Sequence, residues 1–210
     1  MSWRGGFSVW AMSQADWAQS IARNLLAGPL PRRWQHTRGV AAAARTLEPV
    51  LGPDADLVTA AAWLHDIGYA PGVAATGFHP LDGARHLRDR AGASEMLCRL
   101  VAHHSCAINE AAERGLAGEL AAEFRPARPD LADALAYCDL TTSPDGDRLP
   151  VACRLAEIRR RYGPGHLVSR SITRSEPEMT QAVGRVAARL AACSPPPAAP
   201  AGPGPLVHVS

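Results

Sequence analysis

The sequence predicts an all-α fold, and three observations support this class. Apolar residues recur at spacings of three and four along much of the chain, which is the period of an amphipathic helix. No window shows the strict alternation of apolar and polar residues that marks a half-buried strand. Glycine–proline pairs, such as Gly28-Pro29 and Gly52-Pro53, separate the periodic segments in the way that helix-ending signals do.

Capping residues and helix breakers define the helices expected in the first half of the chain. Ser13 is a favourable N-cap residue, and an apolar face follows it at intervals of four, formed by Trp17, Ile21 and Leu25. Proline favours the first turn of the next helix, which begins at Pro31 or one residue later. The helices predicted in this half cover about 14–27, 31–51, 55–67 and 80–91.

Glycine and proline interrupt the second half of the chain more often. The stretch 107–124 is predicted to be only weakly helical, because Gly115 and Gly118 interrupt it. Pro129 suits the first turn of a later helix, and Asp130 is favourable beside the positive end of the helix dipole. The other helices predicted in this half cover about 94–104, 129–142, 151–162 and 176–193.

The folded part is expected to be one domain of ordinary size, since 210 residues can bury a full core. Residues 1–11 show no helical period, and the segment 194–210 is rich in proline, glycine and alanine and cannot bury a core. We therefore predict a disordered leader at 1–11, a single helical domain at 12–193 and a disordered tail at 194–210.

Composition excludes several functions. The formal net charge is +2, which gives no electrostatic case for nucleic acid or a membrane surface as a partner. All 22 basic residues are arginine, so chemistry that needs a lysine is excluded. The five cysteines include no CxxC pair, which argues against a thiolate zinc site and fits a reducing, cytoplasmic location. No apolar run approaches the ~18 residues of a transmembrane helix.

Histidine and aspartate residues recur beside the predicted helix ends, where side chains from different helices can meet. The most prominent pair is His65-Asp66, at the polar end of an apolar run that stops at Gly68. Adjacent side chains on a helix point about 100° apart, so both reach one metal ion only at a helix end. Asp66 has two oxygens and a central position, and we expect it to bridge two ions. The candidate metal ligands are His36, His65, Asp66, His79, His104 and Asp139, with His103 as the alternative to His104.

The donor set contains imidazole and carboxylate groups and no sulfur. Such a set suits Fe, Mn, Co, Ni or Zn better than Ca, and Mg is also admissible. The sequence therefore predicts one or two divalent metal ions as cofactors. Simpler interpretations stay open at this point, because Asp66 can instead cap a helix and both His36 and Asp139 can be ordinary surface residues.

The ordered pattern of these residues resembles the HD superfamily of metal-dependent phosphohydrolases. The resemblance covers roughly residues 30–142 and includes the motif LHDIG, which contains His65-Asp66. It implies an HD-domain helical bundle with the metal site at its centre. The family's minimal site corresponds here to His36, His65, Asp66 and Asp139. Two-metal members add two histidines, which His79 and His104 match in context, so the resemblance implies a binuclear site similar to that of HD enzymes acting on diadenosine tetraphosphate.

The activity that this resemblance implies is metal-dependent hydrolysis of a nucleotide or another small phosphate ester by metal-activated water. Asp66 would be the central catalytic carboxylate. Some members carry a glutamate or lysine where this chain has Tyr69, which favours metal-activated water over a side-chain base. The arginines nearest to the motif in sequence are Arg38, Arg85 and Arg33, and we expect the first two to bind the phosphate of a small phosphorylated substrate.

Two other functions remain compatible with the same residues. The HD fold also hosts diiron oxygenases, whose protein ligands are of the same types, and Tyr69 in place of the usual lysine keeps this alternative open. The chain would otherwise be a non-catalytic module that binds the metal or a nucleotide without turnover. The sequence predicts neither the substrate nor an oligomeric state.

Overall fold

The computed structural model describes residues 12–193, and its helices begin and end at recognisable capping signals. The Ser13 hydroxyl accepts a hydrogen bond from the Asp16 amide and begins the first helix. The Ser94 hydroxyl does the same for the Leu97 amide. Four α-helices have proline in the first turn, as at Pro31. In chain order the α-helices are α1 Gln14–Leu26, α2 Pro31–Arg45, α3 Glu48–Leu51, α4 Ala55–Leu64, α5 His79–Arg90, α6 Glu95–His103, α7 Ala107–Glu113, α8 Ala117–Glu123, α9 Pro129–Leu140, α10 Val151–Tyr162 and α11 Leu167–Cys193.

The prediction of an all-α class is confirmed. Residues 12–193 contain no β-strand, and the nearest feature is a single β-bridge between Thr142 and Arg148. Single turns of 3-10 helix cover Gly52–Asp54, Ile67–Tyr69 and His104–Cys106. Within the described part of the chain, no helix has both the length and the apolar character that crossing a bilayer requires.

Helix α4 is the centre of the bundle. Its residues 58–64 are all buried, and it contacts α1, α2, α6 and α9. A helix that is apolar on every side must be covered on every side, which is why four others surround it. The functional consequence is that the C-terminal end of α4, where His65 and Asp66 follow, lies in the interior of the protein.

Helices α10 and α11 add a second layer against α9. A separate apolar cluster joins the three helices through Ala136, Leu140, Leu155, Met179 and Ala182. This layer covers one side of the space in front of Asp66, because residues of both helices line the same cavity as the candidate ligands.

Three predicted boundaries differ from the structure. The predicted helix 31–51 is two helices, α2 and α3, and Gly118 lies inside α8 instead of interrupting it. The last helix begins at Leu167, nine residues before the predicted start, and continues through Pro177. The leader at 1–11 and the tail at 194–210 lie outside the described residues.

Candidate metal centre

The end of α4 and the start of α5 meet at Gly68, and this close approach brings two groups of histidines together. A Cβ atom at Gly68 would lie well inside van der Waals contact of the His79 carbonyl oxygen and 2.8 Å from the Gly83 amide nitrogen. Glycine therefore allows the 3-10 turn after Asp66 to contact the first turn of α5. Without this approach His79, the first residue of α5, would lie farther from the carboxylate.

Three histidine rings are oriented by backbone carbonyls. Nδ1 of His36 donates to the Ser143 carbonyl at 3.0 Å, Nδ1 of His65 to Ala62 at 2.8 Å, and Nδ1 of His104 to Val101 at 2.7 Å. Because a carbonyl only accepts, Nδ1 carries the proton in each ring. Each Nε2 thus faces the cluster with a lone pair, which is the tautomer that a metal ion requires.

Asp66 divides the cluster into two groups that share it. Its Oδ2 lies 3.4 Å from His65 Nε2 and 3.8 Å from His36 Nε2, and its Oδ1 lies 3.4 Å from His79 Nε2. Across the second group, His79 Nε2 and His104 Nε2 are 3.1 Å apart. In both groups the potential ligand atoms lie within 4.8 Å of one another.

Asp139, on α9, lies beside the first of these groups. Its Oδ1 is 3.1 Å from His36 Nε2 and 3.9 Å from His65 Nε2. The Ser105 hydroxyl donates to its Oδ2 at 2.5 Å. Ser105 has φ of 48° and Cys106 φ of 57°, and two consecutive left-handed non-glycine residues store backbone strain, as functional sites often do. This turn allows both His104 and Ser105 to face the cluster.

Four buried groups of the cluster have the protonation states that metal binding needs. Burial lowers the pKa of His79 and His104, so both rings are neutral near pH 7. Burial would raise the pKa of Asp66, but the charges of Arg33 and His65 outweigh it and hold that pKa well below its usual range. The pKa of Asp139 is also lowered, because the contacts with His36 and His65 outweigh burial.

The residues present fit a divalent metal ion. The buried His65 Nε2 has no hydrogen-bond partner in the structure, and such atoms are rare unless a ligand satisfies them. His79 Nε2 and His104 Nε2 face each other at 3.1 Å, although Nδ1 already carries the proton of His104. Nitrogen ligands about 2.1 Å from one ion would be about 3.0 Å apart at a right angle. Imidazole and carboxylate donors are those of Fe, Mn, Co and Zn sites.

The arginine beside the cluster is Arg33, and the structure brings neither Arg38 nor Arg85 to it. Arg33 Nη1 donates to Asp66 Oδ2 at 2.6 Å, and the guanidinium lies 3.7 Å from the centre of the Tyr69 ring. The Tyr69 ring also stacks on the His79 ring, with their centroids 3.9 Å apart.

Helix geometry explains why the two expected arginines lie elsewhere. Arg38 follows His36 by two residues, which is about 200° around α2, and it donates to Gln35 on the exposed face at 3.1 Å. Arg85 follows His79 by six residues, about 240° around α5, and pairs with Glu119 and Glu123.

The two adjacent histidines at the end of α6 have different environments. His104 is buried in the cluster, whereas His103 Nε2 lies 2.8 Å from the Phe124 carbonyl. The pair separates because α6 ends at His103 and the chain then turns into Ser105. His86 follows His79 by about two helical turns and lines a different cavity.

A cavity of about 90 Å³ opens onto the cluster, and a second one of about 310 Å³ adjoins it. The first is lined by His79, His104 and Asp139, and the second by His36. Arg154 and Arg161 of α10 line both cavities and were not among the residues predicted for the site. The signal was present in the sequence, because seven residues separate the two arginines and place them on one helix face.

The family model described as HD domain matches residues 33–141, a segment that contains all six candidate ligands. Neither the search of curated proteins nor that of solved structures found a significant match to the chain. The matched segment ends before α10, so the arginines of that helix lie outside it.

Proposed function

This chain belongs to the HD domain superfamily of metal-dependent hydrolases. From this membership we propose that it hydrolyses a nucleotide or another small phosphate ester. The observation that carries the proposal is the position of Asp66. Its two oxygens face two separate histidine groups, at 3.4 Å from His65 Nε2 and 3.4 Å from His79 Nε2. This geometry supports a carboxylate that bridges two divalent ions.

The six residues of the cluster would hold two ions, with Asp66 between them. When bound, such ions lower the pKa of water and polarise a phosphoryl oxygen, which is the chemistry of phosphoester hydrolysis. The ions would be Fe, Mn, Co, Ni, Zn or Mg, as the donor types allow. The proposed ligands are His36, His65, Asp66, His79, His104 and Asp139.

Arg33 is the proposed phosphate-orienting residue. Its guanidinium contacts Asp66 and is 24 % exposed, so it lies at the boundary between the cluster and the cavity. A planar guanidinium binds two phosphate oxygens at once, which fixes the orientation of the phosphoryl group. Ser105 orients Asp139 through its hydroxyl and cannot donate that proton to a substrate at the same time.

No side chain of the cavity is needed as a general base. Burial raises the pKa of the Tyr69 phenol, which therefore stays protonated at neutral pH and acts as a hydrogen-bond donor. Glu110, which also lines the cavity, is paired with Arg114 at 2.7 Å. We therefore propose that metal binding at the cluster would lower the pKa of the attacking water, which would lose its proton to solvent.

The experiment is turnover measured on protein of known metal content. Protein purified without oxygen is loaded with Mn, Co or Fe and assayed against nucleotides, diadenosine tetraphosphate and sugar phosphates. We expect at least one metal to support hydrolysis, detected as released phosphate or as shorter nucleotides, and Asp66→Ala to lose both metal and turnover. The control variant is Asp89→Ala, which removes an exposed carboxylate of α5. Metal-loaded protein that hydrolyses none of these esters would contradict the proposal.

A diiron oxygenase is the second candidate, and Tyr69 is the observation that favours it. An aromatic ring stacked on His79 replaces the charged side chain that phosphohydrolases of this superfamily often carry at this position. Oxygen consumption by the iron-loaded protein, together with a mixed-valence signal in electron paramagnetic resonance, would support this candidate. Ligand-induced thermal stabilisation without any turnover would instead support a non-catalytic binding module.

A further inference from the structure

Arg154 is a buried cation with an incomplete set of partners. It lies on α10, its side chain is 6 % exposed, and Nη1 pairs with Glu157 Oε2 at 2.6 Å. Its Nε is buried without a hydrogen-bond partner in the structure. Burying a guanidinium is costly unless its N–H donors are hydrogen-bonded. A buried arginine with a free donor is therefore expected where a bound ligand accepts the missing hydrogen bond.

A second arginine extends the same positive surface. Arg161 follows Arg154 by seven residues, about two helical turns, and therefore lies on the same face of α10. It is 35 % exposed, and the Glu157 Oε1 atom lies 3.7 Å from its Nε. One carboxylate of α10 thus faces two guanidinium groups, and the charge of Arg154 also acts on Asp139, which lines the same cavity.

These two arginines line both cavities next to the metal cluster. In the smaller cavity they face His79, His104 and Asp139. In the larger one, of about 310 Å³, they lie with Arg33 and His36. Ligand sites commonly begin at about 300 Å³, so the larger cavity has room for a small ligand that reaches the cluster at one end.

We propose that Arg154 and Arg161 form a binding site for a phosphate group other than the one that reacts at Asp66. The substrate would then carry at least two phosphate groups, one beside the metal cluster and one on α10. The anion site is argued from the arginines alone, and its assignment to a substrate rests on the proposed hydrolase function. Two guanidinium forks match the oxygens of a phosphate, which makes this anion the best fit.

Both arginines lie on α10, which begins at Val151, beyond the matched family segment that ends at residue 141. The ligands of the metal cluster lie inside that segment, whereas both arginines lie outside it. Substrate choice would therefore be encoded in α10, separately from the chemistry.

The experiment measures the binding of inorganic phosphate to the metal-free protein by isothermal titration calorimetry, after removal of metal with EDTA and dialysis. We expect the wild-type protein to bind phosphate and Arg154→Met to bind it about tenfold more weakly or worse, since charge-assisted pairs are the strong ones. Arg160→Met is the matched control, because it removes the same charge from the exposed face of α10 and should bind like the wild type.

Two further variants keep the test decisive. Arg154→Lys retains the charge but not the fork, and we expect an intermediate affinity. Arg161→Met changes a partly exposed residue, so it should fold even if Arg154→Met does not, and it should weaken binding in the same direction. Phosphate affinity that is unchanged in Arg161→Met and in every folded Arg154 variant, or absent in the wild type, would overturn the anion site.

Kinetics separates this proposal from the hydrolase itself. For substrates with two phosphate groups, Arg154→Met should raise KM about tenfold and change kcat little, whereas substrates with one phosphate group should show no change in KM. Phosphate binding to metal-free protein without any turnover would leave the anion site standing and remove the hydrolase. If the protein turns over both substrate types and Arg154→Met changes their KM values equally, the hydrolase would stand and the second phosphate site would be removed.

Discussion

Arg33 Nη1 donates a hydrogen bond to Asp66 Oδ2 at 2.6 Å, so the central carboxylate of the cluster is paired with a cation. Burial alone would raise the pKa of Asp66, and the Arg33 charge is the main reason why it is lowered instead. A divalent ion between Asp66 and the histidines would supply the same compensation. Under the proposed function, Arg33 would then be free to bind phosphate.

Arg33→Gln should therefore destabilise the metal-free protein more than the metal-loaded protein. Loss of a hydrogen bond to a buried carboxylate costs about 2 kcal/mol when nothing replaces it. With metal present, the carboxylate keeps a cation, and the loss should be less than about half as large. The measurement is the free energy of unfolding in urea, with EDTA and with Mn.

The neighbouring variant Arg32→Gln is the control. Arg32 pairs with Asp145, and both side chains are more than 60 % exposed, at 65 % and 63 %. An exposed pair contributes about 0–1 kcal/mol, independently of the metal. Equal destabilisation of both states by Arg33→Gln would contradict the exchange of cations at Asp66.

The two histidine groups predict a stepwise loss of metal. His79→Ala removes a donor from the group that contains His104 and leaves the His36 and His65 group intact. We expect it to retain about one ion per chain while Asp66→Ala retains none, because only Asp66 belongs to both groups. Metal content by mass spectrometry of anaerobically purified protein measures this difference.

His86→Ala is the matched control for metal content, since His86 lies on α5 with His79 but lines a separate cavity. It should bind as much metal as the wild type. Equal metal loss in His79→Ala and Asp66→Ala would indicate a single ion instead of two groups sharing a carboxylate.

The sequence predicted the ligand cluster better than its surroundings, and helix geometry explains the difference. Histidine and aspartate in a fixed order are visible in any sequence, and all six candidates lie together in the structure. Arginine contacts depend on the angle around a helix and on which helices are neighbours. For this reason Arg33, in the first turn of α2, contacts Asp66, whereas Arg38 and Arg85 point away from the cluster.

The early start of α11 shows a similar limit. The sequence predicted a start at about residue 176, which would place Pro177 in the first turn of the helix. In the structure the preceding turns are helical because Val168, Ser171 and Ser175 are buried against the rest of the bundle. Tertiary packing outweighs the lost hydrogen bond of a proline inside a helix, and no local pattern reports such packing.

The metal-free protein should lose stability as the pH falls from about 6.5 to about 5. The pKa of His79 and of His104 is lowered in the folded state, because burial disfavours the charged ring. The unfolded chain therefore binds protons in this range that the folded chain does not, and stability falls with the pH. His65 has a raised pKa and acts in the opposite direction, because its contribution is present at low pH and is lost as the pH rises.

Two histidines with a lowered pKa act against one with a raised pKa. The free energy of unfolding should therefore increase with pH in this range. Urea unfolding in EDTA at a series of pH values measures it. His79→Gln removes one of the two groups and should lower the slope by up to about 1.4 kcal/mol per pH unit. A slope that is the same in His79→Gln and in the wild type would contradict this assignment.

Gly68→Ala should displace α5 and with it His79. The added Cβ would collide with the His79 carbonyl oxygen and lie 2.8 Å from the Gly83 nitrogen, and both are backbone atoms that cannot rotate away. Overpacking of this kind costs about 1–3 kcal/mol. Because only the group of His79 and His104 is disturbed, we expect the variant to lose about one ion per chain and most of its turnover, while it keeps the ion at His36 and His65.

Gly72→Ala tests whether the effect comes from the close approach or from alanine itself. Gly72 lies four residues later in the same loop, and a Cβ there meets nothing within 4 Å. It should match the wild type in metal content, in turnover and within about 0.5 kcal/mol in stability. If Gly68→Ala also retained both ions and full stability, the contact between the turn after Asp66 and the start of α5 would not be what positions His79. The two glycines together therefore isolate the contribution of one backbone approach to the metal centre.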